Sequence, residues 1–465
     1  MADRTRRIAV IGAGVSGLTL AYRLQQQAVD VEVVLLERSD RVGAQLRTVE
    51  VAGLSLDAGA DSFLGRKPWA SDLCRELGIQ TTRAAATGTF LWTPRGLVEY
   101  PTGTAFGIPS DLGDLFRWPG LSGRGRRRAA LDLVKRKRPT SAGDESLGSL
   151  LRRRLGDEAT DLALAPILGQ PFGGRIDELS TDATFPELRR WERSQGSLLR
   201  GAQAAVRDAR KGTPSPPMFV RPRGGAQALT DELATRLDGS VRLGTGAEIV
   251  GPAGDGWVIR TSGGPVQADA VAVAVDAPVV RQLLGPISPR IEDELADIPS
   301  VGVGVVVLVY QEGTAERVPA GAGFAAPAGA TPMNACTFTS SVWPDPAFGS
   351  RAVLRCAIGG AGQEDVLDAD DHDIVDACAR HLAALIPLPS APAASAVVRW
   401  PAATPRYRLG HLERVAAIRE RLPAGIFVCG RSFDGVDVAE CIRGATQTAD
   451  DVRNFLASDR RERIG

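Results

Sequence analysis

A chain of 465 residues is longer than one hydrophobic core serves, so two or three domains are expected. Its 44% hydrophobic and 24% charged content is that of an ordinary globular protein, and 55 basic residues against 55 acidic ones exclude a bulk pull toward nucleic acid. Six scattered cysteines without a CxxC pair point to reduced, buried thiols, and the absence of histidine from the first 371 residues argues against histidine-bound metal or a Ser-His-Asp triad there.

The opening, MADRTRRIAVIG, enters a strand almost at once, with no signal-like apolar core. RIAVI (7–11) is followed by Gly12-Ala13-Gly14-Val15-Ser16-Gly17, a helical pattern LTLAYRLQQQ, and a second strand, VEVVLLE, ending at Glu37. This is the strand, glycine turn, helix, strand, acid order of a dinucleotide fold. Gly12 permits the tight turn, Gly14 lets backbone approach a pyrophosphate, and Gly17 lets the helix pack closely on the sheet. Phosphates then sit on the helix N-terminus at Val15 and Ser16. Glu37, 20 residues past Gly17, is placed to accept from a ribose hydroxyl, which favours FAD or NAD over NADP.

Arg38-Ser39-Asp40-Arg41-Val42-Gly43-Ala44-Gln45-Leu46-Arg47-Thr48 follows directly. This run resembles the second fingerprint of the flavin amine oxidase superfamily: an acid, then R-x-G-G, then R-[ST]. The resemblance implies FAD, with Arg38, Arg41 and Gly43 near its phosphates and ring. Ala44 stands where the second glycine is usual, so backbone there is expected to avoid a positive φ or approach less closely. LDAGADSF (56–63) looks like the strand beside the flavin, implying cofactor contacts at Gly59, Ala60, Asp61 and Ser62.

Further blocks resemble the bacterial oxygen-dependent protoporphyrinogen/coproporphyrinogen oxidases. They include LVEYPTGTAFGIPSDL, LSTDATFPELRRWERSQGSLLRG (179–201), FVRPRGGAQALTDELATRL (219–237) and VVRWPAATPRYRLGHLERVAAI (397–418). They stand in family order over nearly the whole chain. The implied fold is α/β: a Rossmann-like FAD-binding domain, a strand-rich substrate domain and a helical insertion. The expected division is 1–80, 218–290 and 420–465 for the FAD domain, 85–215 for the insertion, and 295–415 for the strand-rich domain. Loops are expected at PTSAGDES (139–146) and TPSPP (213–217). The apolar run VGVGVVVLVY (301–310) is half a membrane span and reads as a buried strand. By resemblance, Ala247 meets the adenine, replacing a usual valine, and the segment Gly169–Arg175 departs from the family pattern.

The implied reaction is six-electron oxidation of a porphyrinogen by oxygen, with peroxide release, in haem synthesis. Coproporphyrinogen III is preferred and protoporphyrinogen IX is next. Flavin chemistry of this kind demands no strong side-chain base. Arg47, Arg66, Lys67 and Arg175 are the candidates for holding substrate carboxylates by charge-assisted bonds. No metal is expected. Two other readings stay open: a related oxidase with another amine or ring substrate, and a non-catalytic FAD-bound porphyrin scaffold. The basic run 124–138 reads as a solvated face or as a docking site for anionic lipid or for the next enzyme of haem synthesis. A cytoplasmic location, with at most weak peripheral membrane contact, follows. Arg399 reads as structural, His411 as packing at a helix start, and Cys429 and Cys441 as buried fillers.

At the C-terminal end, IFVCGRSFDGVDVAECI (426–442) is a second strand, glycine turn and helix. By resemblance Gly430, Asp437 and Val438 face the flavin. Asp437 replaces a glycine, and its spacing to Glu440 is that of a capping box. Asp437 is therefore expected to take N–H donors from the flavin and to oppose negative charge on it.

Overall fold

The computed structural model describes residues 5–27, 31–135, 143–211 and 217–464. A five-stranded parallel sheet holds β1 (Arg6–Ile11) at its centre, followed in the chain by α1 (Val15–Gln27) and β2 (Val31–Leu36). The other three strands come from far along the chain. Val241–Arg242 pairs with β2, Ala270–Val273 pairs with β1, and Ile426–Val428 closes the far edge. The strands are almost continuously apolar because both faces are covered. Ile8, Val10, Val33 and Leu35 face a cluster built with α1 and the C-terminal helix Val438–Ile464. Ala9, Ile11, Val34 and Leu36 face a second cluster on the other side.

A seven-stranded sheet forms the second layer. Ser300–Val309, which carries most of the apolar run, sits between Val353–Gly359 and Ala394–Pro405 and is antiparallel to both. Thr89–Thr93 joins beside Gly323–Ala325 in the one parallel pairing of this sheet. Helices between 112 and 211 form the insertion, with a core of their own that includes Trp118, Leu147, Leu150, Leu151 and Leu188. The fold is thus the α/β architecture expected, with strands and helices segregated as above.

The basic run is partly structural. Arg128 donates to the carbonyls of Arg152, Arg153 and Arg154 at 2.9–3.2 Å, and Lys135 Nζ donates to that of Arg153 at 2.6 Å. These are carbonyls of the last turn of the helix Leu147–Leu155, where only Arg152 O has a backbone donor, the Gly156 N–H at 3.0 Å. Residues 136–138 of the run lie outside the described residues, as do 139–142 and 213–216 of the two expected loops. Arg399 bonds the carbonyls of Leu367 and Ala369 and pairs with Asp371, a structural role. His411 is buried at the first turn of the helix His411–Arg421 and stacks on Tyr407 at 3.8 Å. Burial, with Arg414 beside it, pushes its pKa down to about 3, so it stays neutral. Cys429 and Cys441 are buried, and desolvation raises both thiols, to about 12 for Cys441. Among the described residues no helix is long and apolar enough to cross a membrane, and no cluster of three or more His, Cys, Asp or Glu residues could hold a metal.

Candidate active site

The glycine turn after β1 is fixed from both sides. Gly12 takes φ +101°, and its N–H donates to Leu36 O at 2.8 Å, tying the turn to the end of β2. A Cβ on Gly17 would lie 1.8 Å from Gly12 O, so the start of α1 packs directly on the turn. Gly14 is different: a Cβ there would meet only Ala44 Cβ, at 3.5 Å. The helix ladder begins with Leu18 N–H bonding Gly14 O, which leaves the N–H groups of Val15, Ser16 and Gly17 ahead of it. Glu37 Oε2 accepts from Ala13 N–H at 2.8 Å, while Oε1 accepts from Ser39 N–H and Oγ. Beyond it, Thr245 N–H bonds Glu37 O, and the Arg38 side chain packs on Gly246, so Ala247 is held beside the end of β2.

Arg41 donates to Val42 O and Ala44 O, and its guanidinium lies 5.8 Å from the Trp400 ring centroid. Gly43 N–H bonds Ala13 O, which brings this second loop onto the glycine turn. One expectation is corrected here. Ala44 does take a positive φ, +47°, as the glycine it replaces would. The Arg41 bond to its carbonyl and its exposed side chain let an alanine tolerate this conformation at modest cost.

The C-terminal turn closes on the same region. Gly430 has φ +108°, a Cβ on it would lie 3.5 Å from Ser16 Oγ, and Asp434 Oδ2 accepts its N–H at 2.7 Å. Asp434 also pairs with Arg419, so this acid shapes the turn rather than facing the cavity.

A cavity of about 680 Å³ lies between the segment 56–63, the seven-stranded sheet and the insertion. Gln45, Gly59, Ala60 and Ser62 form one wall and Val303–Val305 with Gly359–Ala361 another. Among its described lining residues there is no histidine, cysteine, tyrosine or glutamate. Of the four cationic candidates, only Arg175 lines it. Its side chain is 59% exposed, its φ is +45°, and its one ion pair among the described residues, to Glu178, is loose at 3.6 Å. Arg66 is exposed and lies over the Phe106 ring at 5.3 Å. Arg47 stands beside Arg41, where burial and the Arg47 charge together lower the Arg41 pKa. Lys67 is engaged elsewhere, as described below.

Three arginines of the lining escaped the sequence reading. Arg355 donates to Gly59 O and lies 3.8 Å from Asp61, tying the sheet to the segment 56–63. Arg431 donates to Gln45 Oε1. Arg152 is saturated by Asp161 at 2.6 Å, by Asp177, and by Asp157 at 3.7 Å. Arg355 had a signal: an arginine inside the apolar strand RAVLRCAIGG is out of place unless it meets a partner.

The flavin-containing amine oxidoreductase family model matches residues 15–453. The chain belongs to this family. Over 98% of the chain and all of the relative it is 30% identical to a coproporphyrinogen III oxidase of Bacillus subtilis strain 168. It is 32% identical to a coproporphyrinogen III oxidase of Mycobacterium bovis over 97% of the chain and 98% of the relative. A solved structure from Exiguobacterium sp. 255-15, provisionally named a protoporphyrinogen oxidase, superposes with a TM-score of 0.86 at 26% identity, covering 96% of this chain and 98% of its own.

The residues of this flavin-containing oxidoreductase fit FAD. The space at Gly14, the free N–H groups at the start of α1, and the acid at Glu37 suit an adenosine diphosphate, and the glycine-lined wall at Gly59 suits a flat ring. Half of the expected capping box forms: Asp437 Oδ1 accepts Glu440 N–H at 3.0 Å. Glu440 does not reach back to the cap. Its carboxylate pairs with Arg443 at 2.7 Å and with Lys67 at 2.8 Å, and Lys67 also contacts Asp437. Burial pushes the Glu440 carboxyl up, but Lys67 and Arg443 outweigh it and hold it below the usual range. Lys67, read from sequence as a candidate for substrate carboxylates, instead offsets the charge of Asp437 at the cavity wall.

Two opposite shifts in flavin potential are therefore expected. Lys67→Met should lower it and Asp437→Gly should raise it. Each shift should be roughly 20–65 mV for a two-electron couple, corresponding to about 1–3 kcal/mol for a charge near a partly shielded site. The double variant should return close to the parent. Reduction against a dye of known potential reads all three, and shifts of the same sign in the two single variants would contradict the arrangement.

Proposed function

We propose that this protein oxidises a porphyrinogen to the porphyrin with oxygen in haem synthesis, taking coproporphyrinogen III ahead of protoporphyrinogen IX. The observation that carries the reading is the cavity: broad, walled by apolar and glycine positions, lacking a histidine base, and bearing an available guanidinium at Arg175. A reduced tetrapyrrole is an apolar disc with carboxylates at its rim, and such a site matches it. The names of the relatives support the tetracarboxylate: those called coproporphyrinogen III oxidase reach 32% identity, against 26% for the chloroplastic protoporphyrinogen oxidase of Nicotiana tabacum.

FAD held by these residues would supply the acceptor for a hydride from a bridge carbon and the route by which two electrons reach oxygen as hydrogen peroxide. The chain's own residues do the remainder. Arg355 and Trp400, which donate to Gly59 O and Ala58 O, hold the flavin-side segment against the sheet. Val303, Val305 and Ile358 exclude water from one face. Arg175 holds a propionate at the rim. The pyrrole proton lost with each hydride leaves to water, so no basic side chain is needed. Three rounds remove six electrons and consume three oxygens. Exposed Phe116 and Val134, with Arg124 and Arg127 nearby in the chain, support a weak contact with an anionic lipid surface as part of this reading.

The test is the purified flavoprotein with each porphyrinogen in air. Porphyrin fluorescence should grow with three peroxides per porphyrin, faster with coproporphyrinogen III. Arg175→Gln should raise KM more than it lowers kcat. A fully loaded flavoprotein that turns over neither substrate would overturn the proposal and favour the related oxidase with another substrate.

A further inference from the structure

The segment 172–175 runs along the edge of the cavity, between the insertion and the strand-rich sheet. Gly173, Gly174 and Arg175 take φ values of +71°, +83° and +45°. The two glycines adopt this left-handed conformation freely, but an arginine does so only where its surroundings hold it there. Here one side chain does most of the holding. Arg406 Nη1 donates to Phe172 O at 3.0 Å and to Gly174 O at 2.5 Å, and Nη2 donates to Arg175 O at 3.0 Å. The remaining carbonyl, Gly173 O, accepts Ala361 N–H at 2.8 Å, which docks the segment on the opposite wall.

Arg406 is buried, 1% exposed, and meets no substrate itself. Its one carboxylate partner among the described residues, Glu178, stands at 3.4 Å. Its backbone N–H bonds Pro299 O at 2.8 Å directly after the strand Ala394–Pro405, so the side chain is rooted on the seven-stranded sheet. Burying a guanidinium is costly unless its donors are used, and here three of its bonds fix one turn. The Arg175 guanidinium is placed in the opposite way. It is exposed and lies against Gly362, where a Cβ would come within 2.6 Å of Arg175 Nη2 and 3.1 Å of Cζ. A glycine at 362 leaves the room that this placement needs.

We infer that Arg406 is a positioning residue for substrate, setting the backbone of Arg175 so that its guanidinium is presented at the cavity edge. This rests on reading the cavity as a porphyrinogen site. Arg406 acts through Arg175 and touches no substrate. Without it the Arg175 guanidinium is still in the chain, but the turn beneath it relaxes. Recognition of a carboxylate then falls, while binding of the apolar ring does not. Lysine does not replace it, because a point charge on a flexible stem cannot bond three carbonyls as a planar fork does.

The test measures binding of coproporphyrin III, the stable product, to the full-length flavin-loaded protein. Its tetramethyl ester, which keeps the ring and lacks the charges, is titrated in the same mild detergent. Arg406→Lys should weaken coproporphyrin III about 5- to 10-fold and the ester less than about twofold. In an Arg175→Gln background the same substitution should weaken coproporphyrin III less than about twofold, because the residue it acts through is gone. Gly174→Ala gives the same readout with Arg406 intact: a Cβ there meets nothing within 4 Å, so only the left-handed backbone is disfavoured. It should follow Arg406→Lys in both backgrounds, and it decides the matter if Arg406→Lys does not fold. Equal losses for acid and ester, or equal losses with and without Arg175, would make the role purely structural. Either result overturns the inference and leaves the porphyrinogen reading standing. A parent protein that binds neither porphyrin overturns that reading, and the inference with it.

Discussion

Gly17→Ala is expected to yield a chain that does not assemble its nucleotide sheet, whereas Gly14→Ala should fold normally and purify nearly colourless. The two glycines belong to one motif but answer to different neighbours. A Cβ on Gly17 meets backbone, Gly12 O at 1.8 Å, and the turn is itself closely packed, since a Cβ on Gly12 would lie 2.6 Å from Val275 Cγ1 and 2.8 Å from Ala274 O. Such overpacking against main chain costs about 3 kcal/mol or more. At Gly14 the protein leaves room, with 3.5 Å to Ala44 Cβ. What a methyl group displaces there is the ligand's pyrophosphate, and roughly 10- to 100-fold weaker flavin binding is expected, equivalent to about 1.4–2.8 kcal/mol. Circular dichroism melts of the two apoproteins, with flavin titrated back, separate the effects. Full flavin occupancy in Gly14→Ala would show that no phosphate approaches that backbone.

A second large loss of stability should come from Arg154→Met, in the insertion and far from the nucleotide. Arg154 and Asp132 are both completely buried. Arg154 Nε contacts Asp132, and Nη2 donates to Asp132 O at 2.9 Å and Gly196 O at 2.5 Å. The other Asp132 oxygen accepts Ser197 Oγ at 2.6 Å and Leu199 N–H at 2.9 Å. The pair thus joins the helix Leu147–Leu155 to the turn between Pro186–Gln195 and Leu198–Lys211. Removing the arginine strands a buried carboxylate, which typically costs about 3–5 kcal/mol. Adding Asp132→Asn should recover part of this by removing the stranded charge. Urea unfolding followed by circular dichroism measures both. A single variant as stable as the parent would mean that the pair is solvated in solution.

Much of the nucleotide half was legible because its requirements are local. A turn with positive φ, a helix start and an acid 20 residues on are all written in neighbouring residues. The same holds for the buried strand at 301–310 and for the packing roles of His411 and Arg399. What escaped depended on partners distant in sequence. Lys67 meets Asp437 across 370 residues, and Arg355 meets Gly59 across 296. No periodicity reports such pairs. Ala44 was misjudged for a related reason: its conformation is held by Arg41 and by the docking of Gly43 on Ala13, not by its own preference. Part of the basic run, read from composition as a surface, spends its charge on the helix end beside it.

The scattered origin of the five-stranded sheet has a consequence for biosynthesis. The turn and acid that suit the adenosine end are translated within the first 37 residues, but the strand Ile426–Val428 and the helix start at Val438 come about 400 residues later. At about 5–20 residues per second, a nascent chain spends roughly 20–80 s with a partial cofactor site. Throughout that interval the strand Ala270–Val273, once made, presents an unpaired apolar edge where Ile426–Val428 will dock. Cofactor capture is therefore a late event in this polypeptide's life, and a ribosome that stops short of residue 426 releases a sticky sheet rather than a weaker enzyme.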